Sequence, residues 1–310
     1  MVPVNGRIDY NAVIPRTVGV ALVGLAMLAG ACGGNQSGET PAAGDASTSS
    51  QAHHDSGEAD LLDSGLRPGV PPSSNFDLTV WYLTLPTGTA GSPDTVSTTV
   101  LENGYAKPPY FYTGEDGSMV FWCPIDGAIT MGSVFPRTEL RETKGGSLFN
   151  WFVDAGTAKL DATLLVHVVP DTGKIVVGQI HDVGTGGIHD EPLVELEYDY
   201  DAATATGSLV AMLRPAPSPA SSEVVTPIAT DVPLDQRFDY QILLSPAGVL
   251  IVTVNGRPLA ATIDTSTDND AGWGAQGLYF KAGDYVQENG DASTVAGQVQ
   301  FYSLVIQHLP

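Results

Sequence analysis

The chain reads as an all-β protein in which residues 75–310 form a two-sheet β-sandwich, and three observations carry that reading. After the first thirty residues, no long segment repeats apolar residues at the 3.6-residue period of an amphipathic helix. Short runs rich in β-branched and aromatic residues recur instead. Turn residues separate them, drawn from 35 glycines and 22 prolines. Many short strands divided in this way pack as two facing sheets.

The N-terminal stretch falls outside that domain. Arg7 and Arg16 precede an apolar run from Val18 to Gly30, which has the make-up of a signal-peptide core and is too short for a comfortable membrane span. Leu28-Ala29-Gly30-Ala31 then leads into Cys32 as in a bacterial lipoprotein processing site. Residues 1–31 are therefore expected to be a signal peptide of lipoprotein type, with Cys32 as the lipidated residue. Residues 32–74 are mostly Gly, Ser, Thr, Ala, Asp and Pro, and cannot bury enough surface to offset their ordering entropy. They are expected to form a disordered tether, with His53 and His54 as polar filler. The expectation is a secreted monomer, lipid-anchored at the bacterial cell surface or outer membrane and touching membrane only through that anchor.

Inside the domain the strands can be taken in order. Met119-Val120-Phe121-Trp122-Cys123 is an apolar run holding the domain's lone cysteine. Cys123 should therefore be a buried free thiol, and stability should come from the core, not from disulfides. Leu160–Val169 reads as a strand. Tyr240–Leu244 should pair with Val249–Val254 across Ser245-Pro246-Ala247-Gly248, and Asn255-Gly256 should turn the chain into the next short strand. Gly297–Gln307 closes the domain, with Val299, Phe301, Leu304 and Ile306 apolar.

The formal net charge is −22, from 35 acidic against 13 basic residues, which argues against nucleic acid and anionic membrane as partners. No G-x-S-x-G nucleophile elbow and no Gly-rich phosphate loop occur, and two cysteines exclude paired-cysteine metal sites.

Three segments break the bland pattern of the strands: Arg137-Thr138-Glu139-Leu140-Arg141, Gln179-Ile180-His181, and Tyr279-Phe280-Lys281-Ala282-Gly283-Asp284-Tyr285. Side chains two apart on a strand share a face. Arg137, Glu139 and Arg141 would line one surface, as would Gln179 with His181, and Tyr279 with Lys281 and Tyr285. If the three strands are neighbours, they pool groups able to clamp a carboxylate and move a proton beside it, as a site for an acidic sugar requires.

These segments resemble, in order, the R-(S/T)-E-L-R, Q-(I/V)-H and Y-F-K-A-G-x-Y motifs of the alginate lyases of polysaccharide lyase family 7. Phe76–Pro86 resembles the strand that opens that family's catalytic domain, so the resemblance runs from about residue 76 to the C-terminus. Two positions depart from the pattern. Asp284 fills the variable position and Val286 stands where Asn is common, and both are expected to bear on subsite contacts. The resemblance implies a jelly roll with a concave substrate groove. It also implies cleavage of alginate by β-elimination at the uronate C4–O bond, leaving a 4,5-unsaturated end.

That chemistry removes the C5 proton beside an ionised carboxylate, so donors must stabilise a dianion-like intermediate. Gln179 and Arg137 suit this role, which the family assigns to their motif positions. His181 can be neutral at working pH and accept a proton. Tyr285 is the second proton-transfer group, with Lys281 and Arg137 expected to favour its phenolate. Arg141 and Lys281 are expected to bind carboxylates, and Tyr279 and Gln287 join them as substrate contacts. Glu139, counted with that group, is expected to orient the two arginines. Arg137, Gln179 and Lys281 would supply the neutralising charge and hydrogen bonds, so no metal or cofactor is expected. His167 and His189 lack such company and read as structural. The Q-I-H form of the second motif implies acceptance of guluronate-containing blocks. Three alternatives stand beside this reading: a glucuronan lyase, a non-catalytic carbohydrate-binding sandwich, and a glycoside hydrolase using Glu195, Glu197 and Asp199. For those three carboxylates the commoner cause is a solvated face on an edge strand.

Overall fold

The computed structural model describes residues 65–184, 190–259, 263–264 and 272–310. Cys32, the signal-peptide and tether segments, His53, His54 and His189 lie outside the described residues.

Two antiparallel sheets face each other. The first contains β1 (Trp81–Thr89), β2 (Ser92–Val96), β5 (Arg137–Lys144), β6 (Ser147–Leu148), β8 (Lys174–Asp182), β9 (Pro192–Asp201), β10 (Thr206–Leu213), β11 (Val224–Val232) and β16 (Leu278–Val286). Its order is β11-β10-β9-β8-β16-β5-β1-β2, with β6 paired to β5. The second contains β3 (Phe111–Thr113), β4 (Met119–Pro124), β7 (Thr157–Val168), β12 (Phe238–Leu244), β13 (Val249–Val254), β14 (Arg257–Pro258), β15 (Ile263–Asp264) and β17 (Ala296–Leu309). It runs β14-β13-β12-β7-β17-β4-β3, with β15 paired to β13.

The expected hairpin forms in register, Tyr240 opposite Val254 and Leu244 opposite Leu250. Asn255 and Gly256 follow with φ of 49° and 71°, the paired positive values that a tight two-residue turn demands. The opening strand starts later than Phe76–Pro86 suggests: pairing begins at Trp81, while Phe76 and Leu78 are buried in the core ahead of it. Between the sheets, Phe121 packs edge-on against Phe111 and Phe301 at 5.2 and 5.4 Å. Burial of such side chains contributes roughly 1.5–3 kcal/mol each. Cys123 is fully buried and free, as expected.

The three motif strands are neighbours, in the order β8-β16-β5. Leu140, Ile180, Phe280 and Ala282 belong to the core, so the residues alternating with them face away from it. Antiparallel register then aligns the outward side chains across strands. Lys281 stands opposite Arg141 on one side and Gln179 on the other. Tyr285 stands opposite Arg137, and Tyr279 opposite His181. Gly283 lies between them at φ 154°, and a Cβ there would come within 2.5 Å of the Thr138 carbonyl. Only glycine lets β16 approach β5 this closely.

Asp284 and Val286 do not bear on subsites: both are fully buried and point into the sandwich. Asp284 lies against Gly297, where a Cβ would meet its carboxylate at 2.5 Å. The backbone amide of Cys123, on β4, favours the ionised form, but among the described residues neither carboxylate oxygen has a partner in hydrogen-bond geometry. Burial therefore pushes this carboxyl well above its ordinary range. A raised native value contributes stability that is complete below the unfolded value near 3.9 and is lost as pH rises toward the native one. The loss runs at roughly 1.4 kcal/mol per pH unit. Asp284→Asn is expected to match the wild-type melting temperature near pH 4 and exceed it increasingly toward pH 7. Parallel melting curves across that range would contradict the buried neutral acid.

Candidate active site

The outward cluster is organised by one carboxylate. Glu139 is 1% exposed and accepts from Arg137 Nη1 at 3.0 Å, Lys281 Nζ at 2.6 Å and Gln179 Nε2 at 2.5 Å. Burial alone would raise its pKa, but Lys281 and Arg137 outweigh that and hold it below the usual range. Glu139 thus holds Arg137 and Lys281 in place, and both its oxygens are taken by protein partners. The expectation that it orients both arginines holds for Arg137 alone, because Arg141 is held by the Glu142 carbonyl and Asn150 instead.

Lys281 is pulled the other way. Its own burial, followed by the charge of Arg137, lowers it to about 8 despite Glu139. Arg137 also donates to Ser133 Oγ at 2.8 Å, and its guanidinium lies 3.7 Å from the centre of the Tyr285 ring. Arg141 is fixed similarly, stacked 3.8 Å over Tyr279 and bonded to the Glu142 carbonyl and Asn150 Oδ1 at 2.8 and 2.7 Å. Two cations thus surround one buried anion, with a third beside them, and the excess charge suits an anionic ligand. Within the cluster, the buried Arg137 Nε and Gln179 Oε1 have no hydrogen-bond partner among the described residues. A bound ligand is the natural source of one.

His181 sits at one end of the cluster, its ring stacked on Tyr279 at 5.6 Å. Its Nδ1 faces Asp190 Oδ1 at 2.9 Å and the Asp182 carbonyl at 3.1 Å. Both are acceptors, so Nδ1 donates to them, and in the neutral ring Nε2 carries the lone pair. Burial would raise Asp190, but its bond to His181, with Lys281 and Arg137 behind it, keeps it below the usual range. His181, Asp182 and Asp190 also bring ligand atoms within 4.8 Å of one another, a group able to hold a metal ion.

Tyr285 sits at the other end, its hydroxyl 3.3 Å from Ser133 Oγ and its ring beside Phe135. The expected phenolate is not favoured. Burial raises its pKa, and Arg137 and the Ser133 bond offset only part of this. The phenol stays protonated chiefly because it is buried, with the charges of Glu195 and Glu139 adding to that burial.

Most of the remaining sequence candidates are located as follows. Tyr279 is buried between Arg141 and His181. Gln287 lies just beyond β16, half-buried, and turns its amide back to the Tyr285 carbonyl at 3.3 Å. His167 pairs with Asp235 on the surface, away from the cluster. Sequence reasoning missed Ser133, Asn150 and Asp190. They sit on connections between strands, where no alternation marks a residue that reaches back.

The acidic run on β9 needs a correction. β9 is an interior strand between β8 and β10, not an edge. Glu197 and Asp199 are engaged with Lys174 at 2.7 and 2.9 Å. At the far end of the same face, β1 and β2 border a cavity of about 740 Å³ lined by Tyr82, Tyr105 and Lys107, among others.

Fold and site together define a polysaccharide lyase. A family model described as alginate lyase matches residues 76–308, and the chain belongs to the alginate lyases of polysaccharide lyase family 7. The solved structure of alginate lyase PA1167 from Pseudomonas aeruginosa is similar at TM-score 0.69 and 35% identity, covering 75% of this chain and 100% of that one. Alginate lyase A1-II′, a member of polysaccharide lyase family 7, gives 0.67 and 33%, covering 76% and 98%. Variants of A1-II′ have been solved with the product GGG and the substrate GGMG. An alginate lyase of Klebsiella pneumoniae is 29% identical over 294 residues, 78% of this chain and 93% of that one.

Proposed function

We propose that this alginate lyase works by β-elimination, with His181 as base and Tyr285 as acid, on guluronate-containing blocks. The carrying observation is that these two residues flank the Gln179–Lys281 pair from opposite ends of the cluster. A uronate carboxylate held by Gln179, Arg137 and Lys281 would put its ring between them. His181 Nε2 takes the C5 proton, the C5–H electrons form the C4–C5 double bond, and the C4–O bond breaks. The departing oxygen takes the Tyr285 proton. Arg137 and Gln179 stabilise the charge that accumulates on the carboxylate meanwhile. Arg141, Tyr279 and Gln287 would line the neighbouring sugars.

Guluronate follows from the stereochemistry. In mannuronate the C5 proton and C4 oxygen lie on one side of the ring, so one group can serve both. In guluronate they lie on opposite sides and need two facing groups. A protonated Tyr285 is ready as an acid and must first lose its proton to act as base in the one-residue route, which favours the two-residue route. The G-containing ligands of A1-II′ accord with it.

Activity on polyguluronate is expected to equal or exceed that on polymannuronate, followed by the ultraviolet absorbance of the unsaturated uronate. Tyr285→Phe should abolish both, and His181→Ala should lower guluronate cleavage about 10²–10⁴-fold and mannuronate cleavage less. Equal losses for His181→Ala would refute the division of labour, and an active Tyr285→Phe would refute the mechanism.

We further propose that the chain is exported and lipid-anchored through Cys32, on the strength of the apolar run and processing site that precede it. The full-length protein should then fractionate with membranes, and Cys32→Ser should release it. A wild-type protein found wholly soluble outside the cell would contradict the anchor.

A further inference from the structure

Register draws a row of outward side chains straight across the first sheet. Tyr82 stands opposite Arg141, Arg141 opposite Lys281, Lys281 opposite Gln179, Gln179 opposite Glu195, and Glu195 opposite Met212. Neighbouring strands lie roughly 4.8 Å apart, so one step along this row is about the length of one sugar in a linked chain. A polymer crossing the strands with one carboxylate over Gln179 and Lys281 sets its next uronate over Glu195.

That uronate meets an acid where the others meet cations. Among the described residues, Glu195 has neither an ion pair nor a hydrogen bond, although Glu197 and Asp199 on its own strand are both held by Lys174. The groups facing it from other strands are mixed in sign. Gln179 lies on β8, Lys281 and Tyr285 on β16, and Arg137 and Glu139 on β5, while Glu223 stands just before β11 and is paired to Arg214 at 2.5 Å. Directly beside it, Gln179 is fully buried, with its Oε1 lacking a partner among the described residues. Glu195 is the partly exposed member of this adjacent pair, and it stands on the path of the polymer.

We propose that Glu195 is a specificity-determining residue for the sugar next to the cleaved uronate. Protonated, it donates a hydrogen bond to that sugar; ionised, it repels the sugar's carboxylate, so polymer binding weakens as Glu195 loses its proton. This rests on the proposed seating of a uronate over Gln179 and Lys281. Glu195 is half-buried at the surface of the sheet; that burial, with Glu223 adding to it and Lys281 and Arg137 offsetting part, raises its carboxyl to about 7, so both forms are populated near neutrality. If only the protonated form accepts the polymer, apparent affinity falls with its fraction, which is roughly tenfold between pH 6 and pH 8.

The test is KM for polyguluronate from pH 6 to 9 in wild type, Glu195→Gln and Glu223→Gln, read by unsaturated product. Wild-type KM should rise roughly tenfold by pH 8. In Glu195→Gln, which is permanently neutral and still a donor, that rise should vanish, leaving only the later rise as Lys281 loses its charge. Glu223→Gln removes a repelling carboxylate, so the rise should begin at lower pH; this arm decides the matter if Glu195→Gln fails to fold. Parallel KM curves for wild type and Glu195→Gln, or an unmoved rise in Glu223→Gln, would overturn the role of Glu195. Absence of unsaturated product from the wild type would instead overturn the lyase mechanism on which it rests.

Discussion

The site depends on one buried interaction, the three-way hold of Glu139 on Arg137, Lys281 and Gln179. Cations this deeply buried are costly unless paired, and an unpaired lysine would give up its proton. Glu139 opposes the burial and the Arg137 charge that lower Lys281, without cancelling them. One anion shared between two cations leaves a net positive charge, and Arg141 adds to it. The cluster is thus stable enough to fold and still short of negative charge, which a uronate carboxylate brings. The chain's net charge of −22 does not prevent this, since exposed charges more than about 10 Å away are screened by salt.

The same strand braces the site from behind. β5 alternates its carboxylates, Glu139 outward and Glu142 inward. Glu142 accepts from Trp151 Nε1 at 2.9 Å and from the Phe280 amide at 3.0 Å, and it pairs with His308 at 2.5 Å. Phe280 lies between Tyr279 and Lys281, so this inner carboxylate anchors the stretch of β16 that presents both. Glycine at 283 then permits the close approach of β16 to β5 that the outer network needs. Pleat alternation lets one strand pair serve core and catalytic face at once.

Much of this was legible in the sequence, for reasons that can be named. Alternation along three short segments put the right side chains on one face, and the hairpin from Tyr240 to Val254 was set by its turn residues. What stayed hidden was whatever alternation does not encode. Ser133, Asn150 and Asp190 reach the cluster from connections. Asp284 reads as a groove residue because it fills the variable position of a site motif, yet parity along β16 sends it inward. The protonation of Tyr285 also escaped, because neighbouring cations suggest a phenolate until Glu139 and burial are weighed against them. Three alternating carboxylates suit an edge strand, and only the pairing of β9 with β8 and β10 shows that it is interior.

The most direct test of the account is the pH profile of kcat/KM for Glu139→Gln on polyguluronate, followed by unsaturated product. Gln keeps the shape and an acceptor oxygen but removes the charge that holds Lys281 protonated. The account predicts a loss of roughly 10²-fold or more, of the size seen when a preorganised donor is lost. It also predicts that the alkaline limb will move to lower pH. A variant within a few-fold of wild type, with its alkaline limb unmoved, would contradict the claim that Glu139 organises the site.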